Sequence, residues 1–340
     1  MFELTPTSTG WSETVLYSFQ GGVDGSPYSG ALVMDGAGNL YGTTYYGGTG
    51  SCNSGCGTVF ELVRPANGGS WTKSTLYSFQ GGTDGAIPNE VIFDKFGNLY
   101  GTASAGGNPP VCGGTGCGTV FELSSESGVW TETTLYIFHG GTHDGRDPNG
   151  PTMDSSGNLY GTTLFGGIDD EGTVYELYPS NGAWSEKVLH MFSDDCSTGC
   201  VPRSALAING NGDLVGTVCC AVVFGLEPRS GGRWTEGVVF RFNPSMTDGW
   251  SGFGTPVFDT EGRFYGTSED GGQFSAGTAY RLTNVRKERV EEALYSFCAQ
   301  PGCSDGSLPH GGMILDSAGN LYGTTAEGGL GWGVVYEITP

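Results

Sequence analysis

Short runs of β-branched and aromatic residues alternate along this chain with Gly-rich polar breaks. Thr58-Val-Phe-Glu-Leu is one such run, and Leu40-Tyr-Gly-Thr-Thr is another. Runs of this length and composition, closed by Gly, Asn and Asp, predict β-strands joined by tight turns. The runs carry apolar residues on both faces, so each predicted sheet is covered on both sides.

The pattern repeats. Gly38-Asn39-Leu40-Tyr41-Gly42-Thr43-Thr44 recurs in decayed form from Gly97, Gly157, Gly212, Gly262 and Gly319, at offsets of 59, 60, 55, 50 and 57 residues. Each copy leads to a Gly-Thr-Val-Phe-Glu-Leu-like strand, then to a segment such as Trp130-Thr-Glu-x-x-Leu-Tyr-x-Phe138. A Gly-Gly-x-Asp-Gly loop and a short strand ending in Asp, as at Ala31–Asp35, complete the unit. Four short strands per unit, repeated radially, predict propeller blades. Within each unit, Asp-x-x-Gly-Asn reads as a hairpin whose Asp caps turn amides and whose Gly takes positive φ.

The expected fold is therefore all-β: one six-bladed β-propeller over residues 1–340, with four antiparallel strands per blade. The blades are expected at about residues 30–79, 90–138, 150–192, 205–242, 255–297 and 311–338. The last unit lacks its fourth strand, and the chain opens with an unpaired one, Trp11–Phe19. That complementarity predicts an N-terminal strand closing the last blade, which would remove exposed sheet edges. Phe2-Glu3-Leu4 matches the end of a third strand, for which such a ring has no vacancy.

The combined block Leu-Tyr-x-Phe-x-Gly-Gly-x-Asp-Gly … Gly-Asn-Leu-Tyr-Gly-Thr-Thr … Gly-Thr-Val-Phe-Glu-Leu resembles the GloVer tandem-repeat family of bacterial exported proteins, over nearly the whole chain. The resemblance implies a secreted or surface-anchored repeat protein and brings no catalytic residues. The hairpin motif is also similar to the inner hairpins of two-component-regulator and NHL-type propellers, which bears on fold and not on function.

Charge and cysteine content narrow the setting. The 340 residues carry 36 Asp and Glu against 14 Lys and Arg. An anionic surface repels phosphate backbones and anionic lipid, so nucleic acid is not an expected partner. No apolar run reaches the length of a spanning helix, and no membrane insertion is expected. Ten cysteines fall into short-range pairs: Cys52/Cys56, Cys112/Cys117, Cys196/Cys200, Cys219/Cys220 and Cys298/Cys303. Their spacing lacks the C-x₂-C and His of a zinc site and predicts loop-stapling disulfides. Disulfides point to a secreted, periplasmic or cell-surface protein with its signal peptide already removed. The vicinal Cys219-Cys220 pair is the strained member of the set. A monomer is expected.

All five pairs lie in or beside the fourth-to-first and second-to-third connections, which share one face of a propeller. Three constellations on those loops carry candidate chemistry. Asp24, Asp84, Asp144, Asp248 and Asp305 stand one per connection; a ring of them would bind a cation such as Ca²⁺, or each would cap its own turn. Tyr28, Tyr45, Tyr46, Trp250 and Trp332 depart from the repeat and would stack on sugar rings, or pack their own loops. His143, Arg146, Asp147, Asp170 and Asp195 crowd the loops around blades three and four. Paired carboxylates there would serve acid–base work on a glycosidic bond, and His143 with Arg146 proton abstraction beside a uronate; solvated turn charges are the plain alternative.

These features favour a secreted propeller that binds or processes carbohydrate, as a glycoside hydrolase or polysaccharide lyase if it is an enzyme, with a polysaccharide or oligosaccharide as partner. The alternatives are a non-catalytic extracellular adhesion scaffold and a calcium-dependent hydrolase using the Asp ring. No nucleophile elbow, zinc helix, P-loop or dinucleotide fingerprint is present.

Overall fold

The computed structural model describes all residues except 28–30, 67, 109–110, 198, 220, 244–253 and 286–287. The fold is a six-bladed β-propeller of antiparallel sheets. Blade one runs Val33–Met34, Leu40–Thr44, Thr58–Val63 and Thr72–Ser78, hydrogen-bonded in that order. Blade two follows with Ala86–Phe93, Leu99–Ala105, Thr119–Glu126 and Val129–Ile137. In blades three and four the first strand is split, into Gly145–Pro148 with Thr152–Met153 and Cys200–Pro202 with Ala207–Ile208. Blade five has four strands from Val257 to Ser296, and blade six three, Ile314–Leu315, Leu321–Thr324 and Val335–Ile338.

The N-terminal segment differs from expectation. Gly10–Val15 pairs with Phe2–Thr7 in a two-stranded sheet of its own, with Trp11 opposite Pro6. The strand expected to complete blade six is thus held by the third-strand-like residues ahead of it. A hairpin closed over two residues costs far less loop entropy than a pairing across the whole chain, which is why the local partner wins.

The repeated motif has a local cause. Asp35 Oδ1 accepts the Ala37 and Asn39 amides at 2.9 and 2.8 Å, and Asn39 Nδ2 donates to Asp35 Oδ2 at 2.9 Å. Gly38 takes φ +86° at the turn. Tyr41 then donates to Glu61 on the third strand at 2.8 Å, tying the hairpin to its neighbour. Blade four keeps this arrangement with its two polar residues exchanged, Asn209 accepting the Asn211 and Asp213 amides. The Gly of Leu-Tyr-Gly-Thr lies beneath an aromatic ring: a Cβ at Gly101 would stand 2.5 Å from Phe121.

Two compact units make up the chain. The first comprises Met1–Gly140, Arg146–Pro151 and Pro179–Ser185; the second comprises Gly141–Gly145, Thr152–Tyr178 and Glu186–Pro340. In the first, Val59, Phe79, Val91, Leu99 and Phe121 form a fully dry core. Trp130 packs on Tyr41 of the preceding blade, and Trp184 on Tyr100. In the second, Phe192, Leu214 and Phe224 form one core, Phe264 and Tyr280 another, and Phe297 and Leu321 a third. Each fully buried Phe contributes about 3–5 kcal/mol by the usual Phe→Ala measure.

A second repeated device joins consecutive blades. Ile87, Asp147, Val201 and Leu308 each take positive φ immediately before a proline. Their amides donate to Cys56 O, Cys117 O, Glu171 O and Ala276 O at 2.8–2.9 Å. Such a backbone costs of order 1–3 kcal/mol at a non-glycine residue, and these bonds help to hold it.

Candidate functional site

The described Asp-Gly carboxylates bond within their own connections. Asp24 accepts Tyr17 Oη at 2.8 Å and the Gln20 amide at 2.7 Å; Asp84 accepts Tyr77 Oη and the Gln80 amide; Asp305 accepts Tyr295 Oη and the Ala299 amide. Asp144 is buried and accepts the Gly145 amide at 2.6 Å, while Asp248 lies outside the described residues. Each described carboxylate caps its own connection, Asp24 also pairing with Lys73 at 3.1 Å, and among the described residues no group of three His, Cys, Asp or Glu could hold a metal ion.

Of the aromatic set, Tyr45 and Tyr46 stand edge to face with centroids 4.6 Å apart, and Tyr46 is 42 % exposed. Trp332 is 93 % exposed beside the equally exposed Leu330. Tyr28 and Trp250 lie outside the described residues.

The polar set belongs to both units: His143, Asp170 and Asp195 to the second, Arg146 and Asp147 to the first. His143 is exposed, with Nδ1 2.8 Å from Thr142 Oγ1. Asp170 accepts the Gly166 amide at 2.7 Å, and Asp195 accepts Ser193 Oγ and the Ser197 amide. The bonds from Ser197 and Ser193 hold the Asp195 carboxyl below its ordinary range. Both carboxylates cap their own loops. Cys52–Cys56, Cys112–Cys117, Cys196–Cys200 and Cys298–Cys303 are bonded, and Cys220, which would complete the fifth pair, lies outside the described residues.

Arg146 and Asp147 belong to a different cluster, built on the first strands of blades two and three within the first unit. Glu90 lies on the same first strand of blade two as Asn89, the residue that ties the cluster together. The position four residues before the hairpin Asp holds Ala31, Glu90, Gly150, Ala205, Thr255 and Gly312 in successive blades. Five are small or uncharged, so only blade two places an ionisable side chain there. Glu90 lies directly over Gly150, where a Cβ would come 2.1 Å from Glu90 Oε1 and 2.3 Å from Cγ. Only a residue without a side chain leaves that space.

The residue before Glu90, Asn89, is held in a fixed polar network. Asn89 Nδ2 donates to Thr102 Oγ1 at 3.2 Å, Ser104 Oγ at 3.0 Å and Pro148 O at 2.6 Å, and its Oδ1 accepts Ser104 Oγ at 3.2 Å. Thr102 Oγ1 donates to Asn149 O at 3.1 Å. Ser104 also bonds the Asp147 carboxyl. Burial pushes Asp147 above the ordinary carboxylate range, against the opposing pull of Ser104 and Arg146. Burial alone raises Glu90. No hydrogen bond or ion pair engages the Glu90 carboxyl among the described residues. An acid whose charged form is disfavoured by burial can donate a hydrogen bond or a proton to a bound oxygen.

The network reaches two of the five proposed catalytic residues, Asp147 through Ser104 and Arg146 through Asp147, and sequence reasoning missed Glu90 on the same strand as Asn89. The signal was present, because aligning the blades on the hairpin Asp exposes Glu90 as the exception. A smaller polar pair occurs in the second unit, where His310 Nε2 stands 2.9 Å from Glu269 Oε1.

Comparison with known proteins bears on family and fold. The Gloeobacter/Verrucomicrobia repeat matches residues 1–225. No curated protein matches the chain. Among solved structures, a Bacteroides uniformis protein assigned as a 6-phosphogluconolactonase is 13 % identical, with TM-score 0.57, over 90 % of this chain and 82 % of its own. A luciferin-regenerating enzyme is 13 % identical, with TM-score 0.56, over 94 % and 93 %. A Xanthomonas campestris gluconolactonase is 12 % identical, with TM-score 0.51, over 94 % and 88 %. At these identities the likeness is one of fold.

Proposed function

The chain belongs to the Gloeobacter/Verrucomicrobia repeat family, and we propose that it is an exported propeller that binds a carbohydrate at the Glu90 cluster and processes it by proton transfer. The observation that carries this reading is Glu90 itself: a carboxyl with no hydrogen-bond partner among the described residues, raised by burial, at a position that is small or uncharged in every other blade. Ligand pockets are built in this way, from a few oriented polar groups in a mostly apolar scaffold.

Glu90 in its neutral form donates to a glycosidic or lactone oxygen, and its conjugate base then accepts a proton from water. Asn89, the residue before it, is held in the polar network with Ser104 and Thr102. The balance of 36 acidic against 14 basic residues disfavours phosphorylated substrates, which leaves a neutral sugar, an oligosaccharide or a sugar lactone. Of two solved neighbours with lactonase names, a 6-phosphogluconolactonase and a gluconolactonase, the second fits a neutral sugar lactone. Four disulfides support export.

The test is a panel of neutral polysaccharides and aldonolactones, read by reducing ends, by the ultraviolet absorbance of unsaturated products and by acid release. Cleavage or binding of at least one member that is lost in Glu90→Gln is the expected result. A panel with no ligand overturns the reading.

A further inference from the structure

Blade five departs from the repeat in its charge. In blades one, two, three and six the tyrosine of the second strand stands in register with a glutamate of the third: Tyr41 with Glu61, Tyr100 with Glu122, Tyr160 with Glu176 and Tyr322 with Glu337. Blade five sets Arg281 opposite Tyr265 instead. Four residues after the Asp or Asn that opens the hairpin, the other blades carry Asn39, Asn98, Asn158, Asp213 and Asn320, and blade five carries Arg263. A chain with 14 Lys and Arg against 36 acidic residues thus brings two guanidiniums to one hairpin and its neighbouring strand.

Both line a cavity of about 400 Å³ between blades five and six of the second unit, together with Phe258, Tyr265, Ser317 and Asn320. That volume suits a monosaccharide-sized ligand. Arg263 Nη1 pairs with Glu261 at 3.2 Å and Arg281 Nη2 with Glu292 at 2.5 Å, and both glutamates are exposed. Exposed pairs of this kind contribute little, so a bound carboxylate can take their place at small cost. Arg281 Nε is buried without a hydrogen-bond partner, so its donor fork is incompletely used. Asn320 differs from its counterpart in blade one, where Asn39 Oδ1 accepts the Arg64 amide at 2.9 Å. The register of the two blades matches Arg64 with Pro340, which has no amide N–H to give, and no hydrogen bond engages Asn320 Oδ1 among the described residues. Asp259 and Asp316 also line the cavity as turn caps, and their charge opposes a dianion such as phosphate.

We propose that this cavity is a ligand site for a monosaccharide-sized sugar acid. The ligand's carboxylate engages the Arg263 and Arg281 guanidiniums, whose planar fork matches it. A ligand hydroxyl donates to Asn320 Oδ1, and the Phe258 ring covers a C–H face of the sugar.

The experiment titrates the intact protein in a calorimeter, at about pH 7 and low salt, with sodium D-gluconate and sodium D-glucuronate, and with sodium acetate and D-glucose as controls. Saturable binding of at least one sugar acid is expected, with both controls weaker by about tenfold or more. Arg263→Asn and Arg281→Glu each install the residue that blades one, two, three and six carry, so the fold is kept, as thermal melts will check. Each should weaken sugar-acid binding by about tenfold or more. Absence of binding by both sugar acids, acetate or glucose bound as tightly, or unaltered affinity in the two folded variants overturns the proposal.

Discussion

Replacing Glu132 by Gln should stabilise this protein at alkaline pH and leave it unchanged in acid. Glu132 occupies the second position after the tryptophan that opens a blade's fourth strand. Successive copies of that position hold Glu13, Lys73, Glu132, Glu186, Glu236 and Glu291. Burial, with the charge of Asp84 acting in the same direction, raises Glu132 to about 7 against a single opposing bond from Thr134. Below about pH 4.5 the carboxyl is protonated in folded and unfolded chains alike, and it contributes no difference. Between there and 7 the unfolded chain releases the proton first, so stability falls as pH rises, and above 7 the loss is complete. A shift of this size corresponds to about 3.4 kcal/mol at full desolvation. Solvent screening of a half-buried carboxylate reduces that to about 1–2 kcal/mol. Gln removes the charge and keeps an oxygen for Thr134 Oγ1, now 2.9 Å from Glu132 Oε1. For a chain of this length the gain is about 1.5–3 °C in Tm. Thermal melts at pH about 4 and about 8 should show the variant matching wild type in the first and exceeding it in the second. A gain of equal size at both pH values, or no gain at pH 8, would refute the reasoning.

Other consequences follow from the same contacts. Glu132→Lys should place an ammonium opposite Asp84, as Lys73 does opposite Asp24 at 3.1 Å, and raise Tm at pH 8 beyond the Gln variant. Lys73→Met should cost about 1–3 kcal/mol in denaturant titrations, because Lys73 is 4 % exposed and its loss leaves Asp24 with neutral partners alone. Burial works to raise Asp24, but the Gln20 amide, Tyr17 and Lys73 outweigh it and hold the carboxyl low. This stabilisation is present above the ordinary Asp value and disappears as pH falls through the depressed one, so the wild-type advantage over Lys73→Met should vanish in acid melts. Gly150→Ala should displace the Glu90 side chain and abolish ligand binding in calorimetry with a stability loss under about 1.5 kcal/mol, and in a Glu90→Ala background it should cost no stability.

Much of the fold was legible because the blade repeats its chemistry. The Asp-x-x-Gly-Asn hairpin, the Gly beneath an aromatic ring and the apolar runs facing two neighbours all occur at fixed offsets, so any one blade reports on the others. The N-terminal pairing was less legible. Trp11 carries the fourth-strand signature, but its partner was decided by the local competition from Phe2–Thr7, and a repeat pattern does not weigh loop entropy. The candidate site was half legible. Arg146 and Asp147 stood out as surplus charge in a loop, whereas Asp170 and Asp195 looked identical in sequence and differ in having their oxygens consumed by neighbouring amides. Glu90 was overlooked since it sits inside a strand, where a carboxylate reads as one more blade residue.

The central claim is that Glu90 handles the proton for a bound sugar. Its most direct measurement is hydrolysis of D-glucono-1,5-lactone and of whichever glycan the panel yields, followed across pH for wild type and for Glu90→Gln, with folding checked by melts. The account predicts turnover that declines as pH rises through the elevated Glu90 value, and loss of about a hundredfold or more of that turnover in the Gln variant. Equal rates for the two folded proteins, with the same pH profile, would contradict it.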